Sequence, residues 1–467
     1  MRKRNGLSMI VIVLLIVTNC SARPAPVDLP NTPKPAAPSK IAPAVRTLSP
    51  AILAPTAEYY VAADGDDNNP GSEQAPWRTI QHAVEQMTPG DTVLIKSGTY
   101  DGARLENSGV ADGPLTLKAA PGATVIINGP GPQNKHQSAL EIENWDTPVA
   151  YWIIEGLEVT GAPGWGIDIR GGEDNHAHHI TVRSNHVHNN GLGAGRTGIF
   201  AAFTDDVLIE NNETHHNGEH GIYVNNSSDR FIIRNNRSHH NANCGIHLNG
   251  DADMGGDGIM SDGQVTGNTI YDNGTGGSGI NMDGVERTTV ANNLLYNNHN
   301  TGIAIFQENG AICSSSNRIA HNTILIANNG RWALTVGPGC ANNIVLNNIF
   351  YSDHSYRGSI DADQGVVNLV SDYNIVVNRF TTDGGDSILT LAQWQALGYD
   401  THSFLATPDT LFVNAAAHDY RLREDSPALN KGSTQAGISA DITGAARPSG
   451  AGYDIGAYEL QVSTPFT

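Results

Sequence analysis

The side chains best placed for chemistry in this sequence gather just past its midpoint. Asn249-Gly250-Asp251-Ala252-Asp253-Met254-Gly255-Gly256-Asp257-Gly258 sets three carboxylates on a glycine-rich stretch, with Asp262 close behind. Asp251, Asp253 and Asp257, joined by Asp283 farther along, are hard oxygen donors of the kind that hold Ca²⁺. The Asp-x-Asp opening is only loosely a calcium loop, because no Glu follows at the position an EF-hand requires. Two of the same carboxylates can instead act as acid and base on a neutral glycan, or simply cap turns on a surface loop. His247 precedes the loop and Tyr223 lies 24 residues earlier, both able to move a proton near neutral pH. Arg170 is the nearest candidate to clamp a carboxylate or serve as an Arg base.

These residues need a scaffold that brings distant segments side by side, and internal repetition supplies it. Gly166-Ile167-Asp168-Ile169 recurs as Gly198-Ile199-Phe200-Ala201, Gly221-Ile222-Tyr223-Val224, Gly245-Ile246-His247-Leu248, Gly279-Ile280-Asn281-Met282 and Gly302-Ile303-Ala304-Ile305. Gly198, Gly221 and Gly245 are spaced by 23 and 24 residues, about one coil of a parallel β-helix, and longer intervals carry an inserted loop. A second phrase ends in Asn185, Asn212, Asn236, Asn268, Asn293, Asn322 and Asn348. Asparagine tolerates the left-handed backbone of a tight corner, and its amide can bond to the coils above and below. With coils about 4.8 Å apart, these seven side chains are expected to form a ladder. The fold class is therefore all-β, a right-handed parallel β-helix closed by a short N-terminal capping helix.

Alternation along each Gly-Ile-x-Ile strand points the Ile residues inward and the x residues outward. The middle coils should then expose a polar strip of Tyr223, Asn225, His247, Asn249, Asn281 and Asp283. Asn225, Asn249 and Asn281 are the expected contacts to a sugar polymer lying along that face, although a merely solvated face has the same composition. Three residues past the ladder positions lie His188, His215, His239, Tyr271 and Tyr296, with His216 and His240 beside the second and third. Such a column can hold a transition metal; the change from His to Tyr along it favours ring stacking.

The remaining segments bound the protein. Residues 1–20 pair a basic start with a short apolar run and end in Val17-Thr18-Asn19-Cys20, the pattern of an acylated Cys20 in an exported lipoprotein. Asn19 departs from that pattern, and ordinary signal cleavage is the alternative. Residues 21–56 are rich in Pro and Ala and read as an extended linker. Residues 57–467 form one domain: 57–135 the N-terminal cap and first coils, 136–380 the regular coils, 381–467 the closing segment. Trp77 to Met87 carries apolar residues at helical spacing and is the expected cap over the open end of the stack. Fifty-one glycines and only 16 % charged residues suit a turn-rich β structure. A net charge of −20 argues against nucleic acid as a partner and makes a polyanionic glycan awkward without a cation or an Arg patch. Cys313 and Cys340 end successive repeat strands and are expected to form a disulfide, whereas Cys244 precedes a Gly-Ile strand and reads as a core thiol.

Tyr59-Tyr60-Val61, Asp64-Gly65-Asp66-Asp67, Asn69-Pro70-Gly71, Pro76-Trp77-Arg78-Thr79-Ile80, Pro89-Gly90-Asp91-Thr92-Val93 and Gly98-Thr99-Tyr100 resemble the opening of secreted bacterial β-helix proteins. Those proteins include family-nine pectate lyases and chondroitinase B-like or alginate lyases, of the pectin lyase-like superfamily. Asp419-Tyr420-Arg421-Leu422, Ser426-Pro427-Ala428, Arg447-Pro448 and Asp454-Ile455-Gly456-Ala457-Tyr458-Glu459 are similar to their closing segment. The resemblance implies a carbohydrate-active protein, foremost a Ca²⁺-dependent polysaccharide lyase on a uronate-containing glycan. Family-nine lyases use a Lys to remove the proton at C5; this chain has no Lys between Lys135 and Lys431, so His247 or Tyr223 must replace it. A glycoside hydrolase using paired Asp and a non-catalytic glycan-binding or structural surface protein stand as alternatives. The expected setting is extracellular, at the cell surface through the lipid on Cys20 or secreted without it, as a monomer.

Overall fold

A computed structural model describes residues 57–461 except residue 275. The signal segment, Cys20 and the linker 21–56 lie outside the described residues. The chain winds as a parallel β-helix whose coils contribute to three sheets of 13, 12 and 11 strands. Sheet 1 starts at Glu58–Val61, sheet 2 at Gly98–Tyr100 and sheet 3 at Ala103–Leu105, and each coil visits them in that order. The Gly-Ile-x-Ile phrases are the strands of sheet 3, paired in parallel register, as Tyr223 with His247 and Asn225 with Asn249.

Inward positions stack like with like. Ile167, Ile199, Ile222, Ile246, Ile280 and Ile303 are fully buried one above another, as are Ile169, Ala201, Val224, Leu248, Met282 and Ile305 beside them. Burying each such side chain contributes about 1.5–3 kcal/mol. The recurring Gly before each Ile is explained by close approach. A Cβ on Gly198 would lie 2.6 Å from Asn217 Nδ2, and one on Gly221 2.0 Å from Ser238 Oγ.

The Asn ladder turns the corner between sheets 1 and 2. The backbone N–H of Asn212 donates to Asn236 Oδ1 at 2.9 Å, and Asn236 N–H to Asn268 Oδ1 at the same distance. Each amide nitrogen also donates to a carbonyl of the neighbouring coil, as Asn236 Nδ2 does to Ile209 O at 2.8 Å. The left-handed backbone belongs to the residue before the ladder position: Asn211, Asn235, Gly267, Asn292 and His321 have positive φ, and the ladder asparagines do not. The side chain of the ladder residue must point inward to bond, which an extended conformation permits. A second ladder, not anticipated, runs through Asn190, Asn217, Asn241, Asn273 and Asn298 at the corner between sheets 2 and 3. It sits five residues after the first throughout, and its side chains fill the space the sheet 3 glycines leave.

Both ends of the stack are closed. Helix α1, Ile80–Gln86, is capped by the Thr79 hydroxyl, which accepts from His82 N–H, and buries Ile80, Ala83 and Val84. It is shorter than the sequence spacing predicts, because Trp77 bridges to Val61 and stacks on Tyr59 instead of joining the helix. At the other end Asn374 donates to the buried Asp400, which also accepts from Ser371, Ser403 and Trp394, ending the ladder on a carboxylate. The closing segment packs Leu411, Phe412, Tyr420, Leu422 and Ile455 against Leu294, Ile349 and Ile375. Cys313 and Cys340 form a disulfide between adjacent coils, and Cys244 is free and buried.

Candidate active site on sheet 3

The outer face of sheet 3 carries three groups of polar side chains along one line. In the early coils Asp168 is 1 % exposed, accepts from Ser138 Oγ at 3.0 Å and pairs with Arg170 Nε at 2.8 Å. Burial pushes its carboxyl up to about 6 against the opposing pull of Arg170 and His136. The Arg170 guanidinium lies 4.5 Å from the Trp165 ring and 4.7 Å from that of Phe200, and the Arg196 guanidinium also lies 4.5 Å from the Trp165 ring. Arg170 Nη2 is buried without an acceptor, a donor held ready for an anion. Neighbouring Glu143 lies between Arg104 at 3.0 Å and His136 at 2.9 Å.

The middle coils hold the residues expected to move protons. Asn249 Nδ2 donates to Tyr223 Oη at 3.0 Å, and the Tyr223 and His247 rings are 4.6 Å apart. Burial pushes the Tyr223 phenol well up, so it stays protonated, and pulls the His247 imidazole down to about 4, so it is neutral. Asn225 and Asn249 each present a buried Oδ1 with no partner. Behind them His220 Nδ1 accepts the Cys244 backbone N–H at 3.1 Å, and Cys244 Sγ lies 3.6 Å from His247 Nδ1. Burial holds His220 well below the usual imidazole range and pushes the Cys244 thiol up, as expected of groups kept uncharged.

In the later coils the face deepens into a groove of about 440 Å³ lined by Asn281, Phe306, Arg331, Trp332, Arg357 and Asp361. Burial, then Asp363, pushes the Asp361 carboxyl up to about 6. Sequence reasoning missed Trp165, Arg196, Arg331 and Arg357, which come from loops between sheets 2 and 3 and carry no repeat signal. Tyr223, His247, Asn225, Asn249 and Asn281 align on one face as expected, but Asn225 and Asn249 are buried rather than exposed, because neighbouring side chains cover them; Arg170 joins the same face two coils earlier.

The four aspartates expected around Ca²⁺ are not gathered into one ligand set. Asp283 accepts the backbone N–H groups of Glu308, Asn309 and Gly310 at 2.8, 2.7 and 3.1 Å, which uses its oxygens to shape the next loop. Asp257 accepts from Ile259 N–H at 2.9 Å. Asp251 and Asp253 remain, with burial and then Asp253 raising the Asp251 carboxyl. Half-buried Asp251 and exposed Asp253 supply only part of the six to eight oxygens that Ca²⁺ takes, and backbone carbonyls and water would have to supply the rest. The histidine column lies on the outer face of sheet 2, where His188, His215, His239, Tyr271 and Tyr296 stack at 4.6–4.9 Å, and His418 continues the stack.

Comparison with known proteins places this architecture. Residues 59–198 match the family described as Pel9A-like, right handed beta helix region, and residues 147–309 match periplasmic copper-binding protein (NosD). Pectate lyase PEL9 of Emericella nidulans is 35 % identical over 153 residues, 30 % of this chain and 36 % of that protein. The chain thus spans about a third of that relative. The uncharacterized protein YwoF of Bacillus subtilis is 25 % identical over 444 residues, covering 79 % of this chain and 91 % of that protein. The crystal structure of pectate lyase Pel9A superposes with a TM-score of 0.60 at 19 % identity, over 87 % of this chain and 97 % of that one. The fold is that of Pel9A, and the resemblance carried by the opening motifs holds.

Proposed function

We propose that this chain is a carbohydrate-active enzyme that cleaves a uronate-containing glycan by β-elimination on the outer face of sheet 3. The observation that carries the reading is the Tyr223–His247–Asn249 group: a neutral base beside a protonated phenol, each fixed by its neighbours. Elimination needs a base for the proton next to the carboxylate and an acid for the departing glycosidic oxygen. Neutral His247 has an imidazole lone pair, and Tyr223 has the proton. Arg170 and Arg196 on the Trp165 platform, with Arg331 and Arg357 in the later groove, offset a net charge of −20 where the polymer lies. Asn225 and Asn249 offer buried amides to the uronate or its hydroxyls. The pectate lyases among the relatives and the shared fold support the substrate class.

No step is routed through calcium, since Asp283 and Asp257 are already bonded within the protein. In this reading a lipid on Cys20 holds the enzyme at the outside of the cell. The test is incubation of the full chain with pectate, alginate, glycosaminoglycan and neutral glycans, with calcium and with chelator. Ultraviolet absorbance of unsaturated uronate that survives chelation is the expected result. New reducing ends without that absorbance move the chemistry to hydrolysis, with Asp361 and Asp363 the first carboxylates to mutate. Neither signal on any polymer refutes the elimination reading for those substrates.

A further inference from the structure

A second constellation lies on sheet 2, away from the groove. We propose that Glu158, His186, His188 and His215 bind one first-row divalent transition-metal ion, of the Zn²⁺ or Cu²⁺ type. Donor atoms of Glu158, His186 and His188 lie within 4.8 Å of one another. His188 Nε2 is 3.1 Å from Glu158 Oε1, and His186 Nε2 is 2.6 Å from His215 Nε2. Three imidazoles and one carboxylate are a donor set suited to such ions, and the anion partly balances the dication.

Ring stacking accounts for only part of this corner. His188 and His215 lie flat on each other at 9°, and His239 continues the stack at 14°. His186 belongs to the other outward column, where its coil neighbours are Glu158 and Glu213. Its ring is tilted 38° and 46° to His188 and His215, and its Nε2 faces the Nε2 of His215. Two nitrogens that face each other require something between them, either a single proton or a metal. Metal–nitrogen bonds of about 2.0–2.1 Å at tetrahedral angles set two nitrogens about 3.3 Å apart, so His186 and His215 part by under an ångström while His215 moves toward the other two ligands.

The surrounding groups can orient the rings for this role. His215 Nδ1 lies 2.7 Å from His216 Nδ1, so a proton on the former donates to the latter and leaves Nε2 free. The Asn189 amide lies 2.8 Å from His188 Nδ1 and, turned over, accepts a proton there, freeing the second Nε2. Glu213 is already engaged by His239 at 2.9 Å and Arg237 at 3.1 Å, so it contributes charge but not a bond. All four proposed ligands are partly exposed, so an ion reaches them without unfolding. The His220–Cys244–His247 cluster is the other three-donor group among the described residues, but there His220 Nδ1 is held by a backbone N–H.

The test is calorimetric titration of the metal-stripped full chain with Zn²⁺, with Cu²⁺ and, as a control, with Ca²⁺. One equivalent of Zn²⁺ or Cu²⁺ and no Ca²⁺ is expected. His186→Ala and Glu158→Gln should each weaken binding at least tenfold, and neither disturbs the ring stack. Cys244→Ser should leave it unchanged. Nitrogen hyperfine structure in the Cu²⁺ resonance should diminish in His215→Ala. Absence of one-to-one binding, or binding that survives both His186→Ala and Glu158→Gln, overturns the proposal. So does binding lost in Cys244→Ser.

Discussion

Replacing Asn236 by Ala removes one rung of the corner ladder, and the cost can be worked from its bonds. The side chain accepts from Asn212 N–H at 2.9 Å and Asn212 Nδ2 at 3.1 Å. It donates to Ile209 O at 2.8 Å and Asn268 Oδ1 at 3.0 Å. Asn236 is 1 % exposed and Asn212 equally so, so their partners find no ready replacement in water. At about 1 kcal/mol for each bond, the loss is about 4 kcal/mol. Because each coil touches only its neighbours, the loss should stay local. Hydrogen exchange followed by mass spectrometry reads this directly: 4 kcal/mol is roughly a thousandfold loss of protection. It should appear in Leu208–Glu210 and Glu213–His215 and be absent from Ile344–Leu346. Asn236→Asp keeps the acceptor but sets a negative charge against Ile209 O and Asn268 Oδ1, so it should cost at least as much. An Asp variant with native protection, or an Ala variant whose loss spreads evenly along the helix, refutes the ladder argument.

Tyr223→Phe and His247→Ala should each lower turnover on the cleaved polymer by about 10²–10⁴, with native circular dichroism. Turnover of the native chain should fall as pH drops through about 4, where His247 takes up a proton. Asp168 is pushed up to about 6 in the fold from an ordinary 3.8, so the native state binds its proton more tightly than the unfolded chain. Stability should therefore decline as pH rises from about 4 to about 6, by roughly 3 kcal/mol. Asp168→Asn should remove that component in thermal unfolding at stepped pH, and an unchanged profile contradicts the assignment. Reduction of Cys313–Cys340, 27 residues apart, should lower stability by about 3–4 kcal/mol in denaturant titrations. Cys313→Ser should remove the response to reductant, while Cys244→Ser should keep it.

Particular residues show how far the sequence could be read. The Gly-Ile phrases and the first Asn column gave the coil, its register and the outward line of Tyr223, His247 and their asparagines, because a helix of strands repeats in sequence what it stacks in space. The second Asn ladder was equally periodic but hidden inside segments that read as histidine-rich. The aspartate loop marks a limit of sequence reading for a physical reason. A carboxylate beside glycines looks the same whether it awaits a cation or accepts three backbone N–H groups, as Asp283 does.

Composition and repeat length by themselves determined the architecture, the direction each strand side chain faces and the pairing of Cys313 with the cysteine one coil later. Tertiary structure alone decided which polar groups are free to react. Arg170 is poised because Trp165 and Asp168 of its own coil and Phe200 of the next enclose it. The Asp168 carboxyl is pushed up to about 6 because the stack buries it. His186 faces His215 through a ring tilt that spacing does not encode. Burial, charge and the competition for hydrogen bonds are properties of neighbours in space, and loops without a period bring in most of those neighbours.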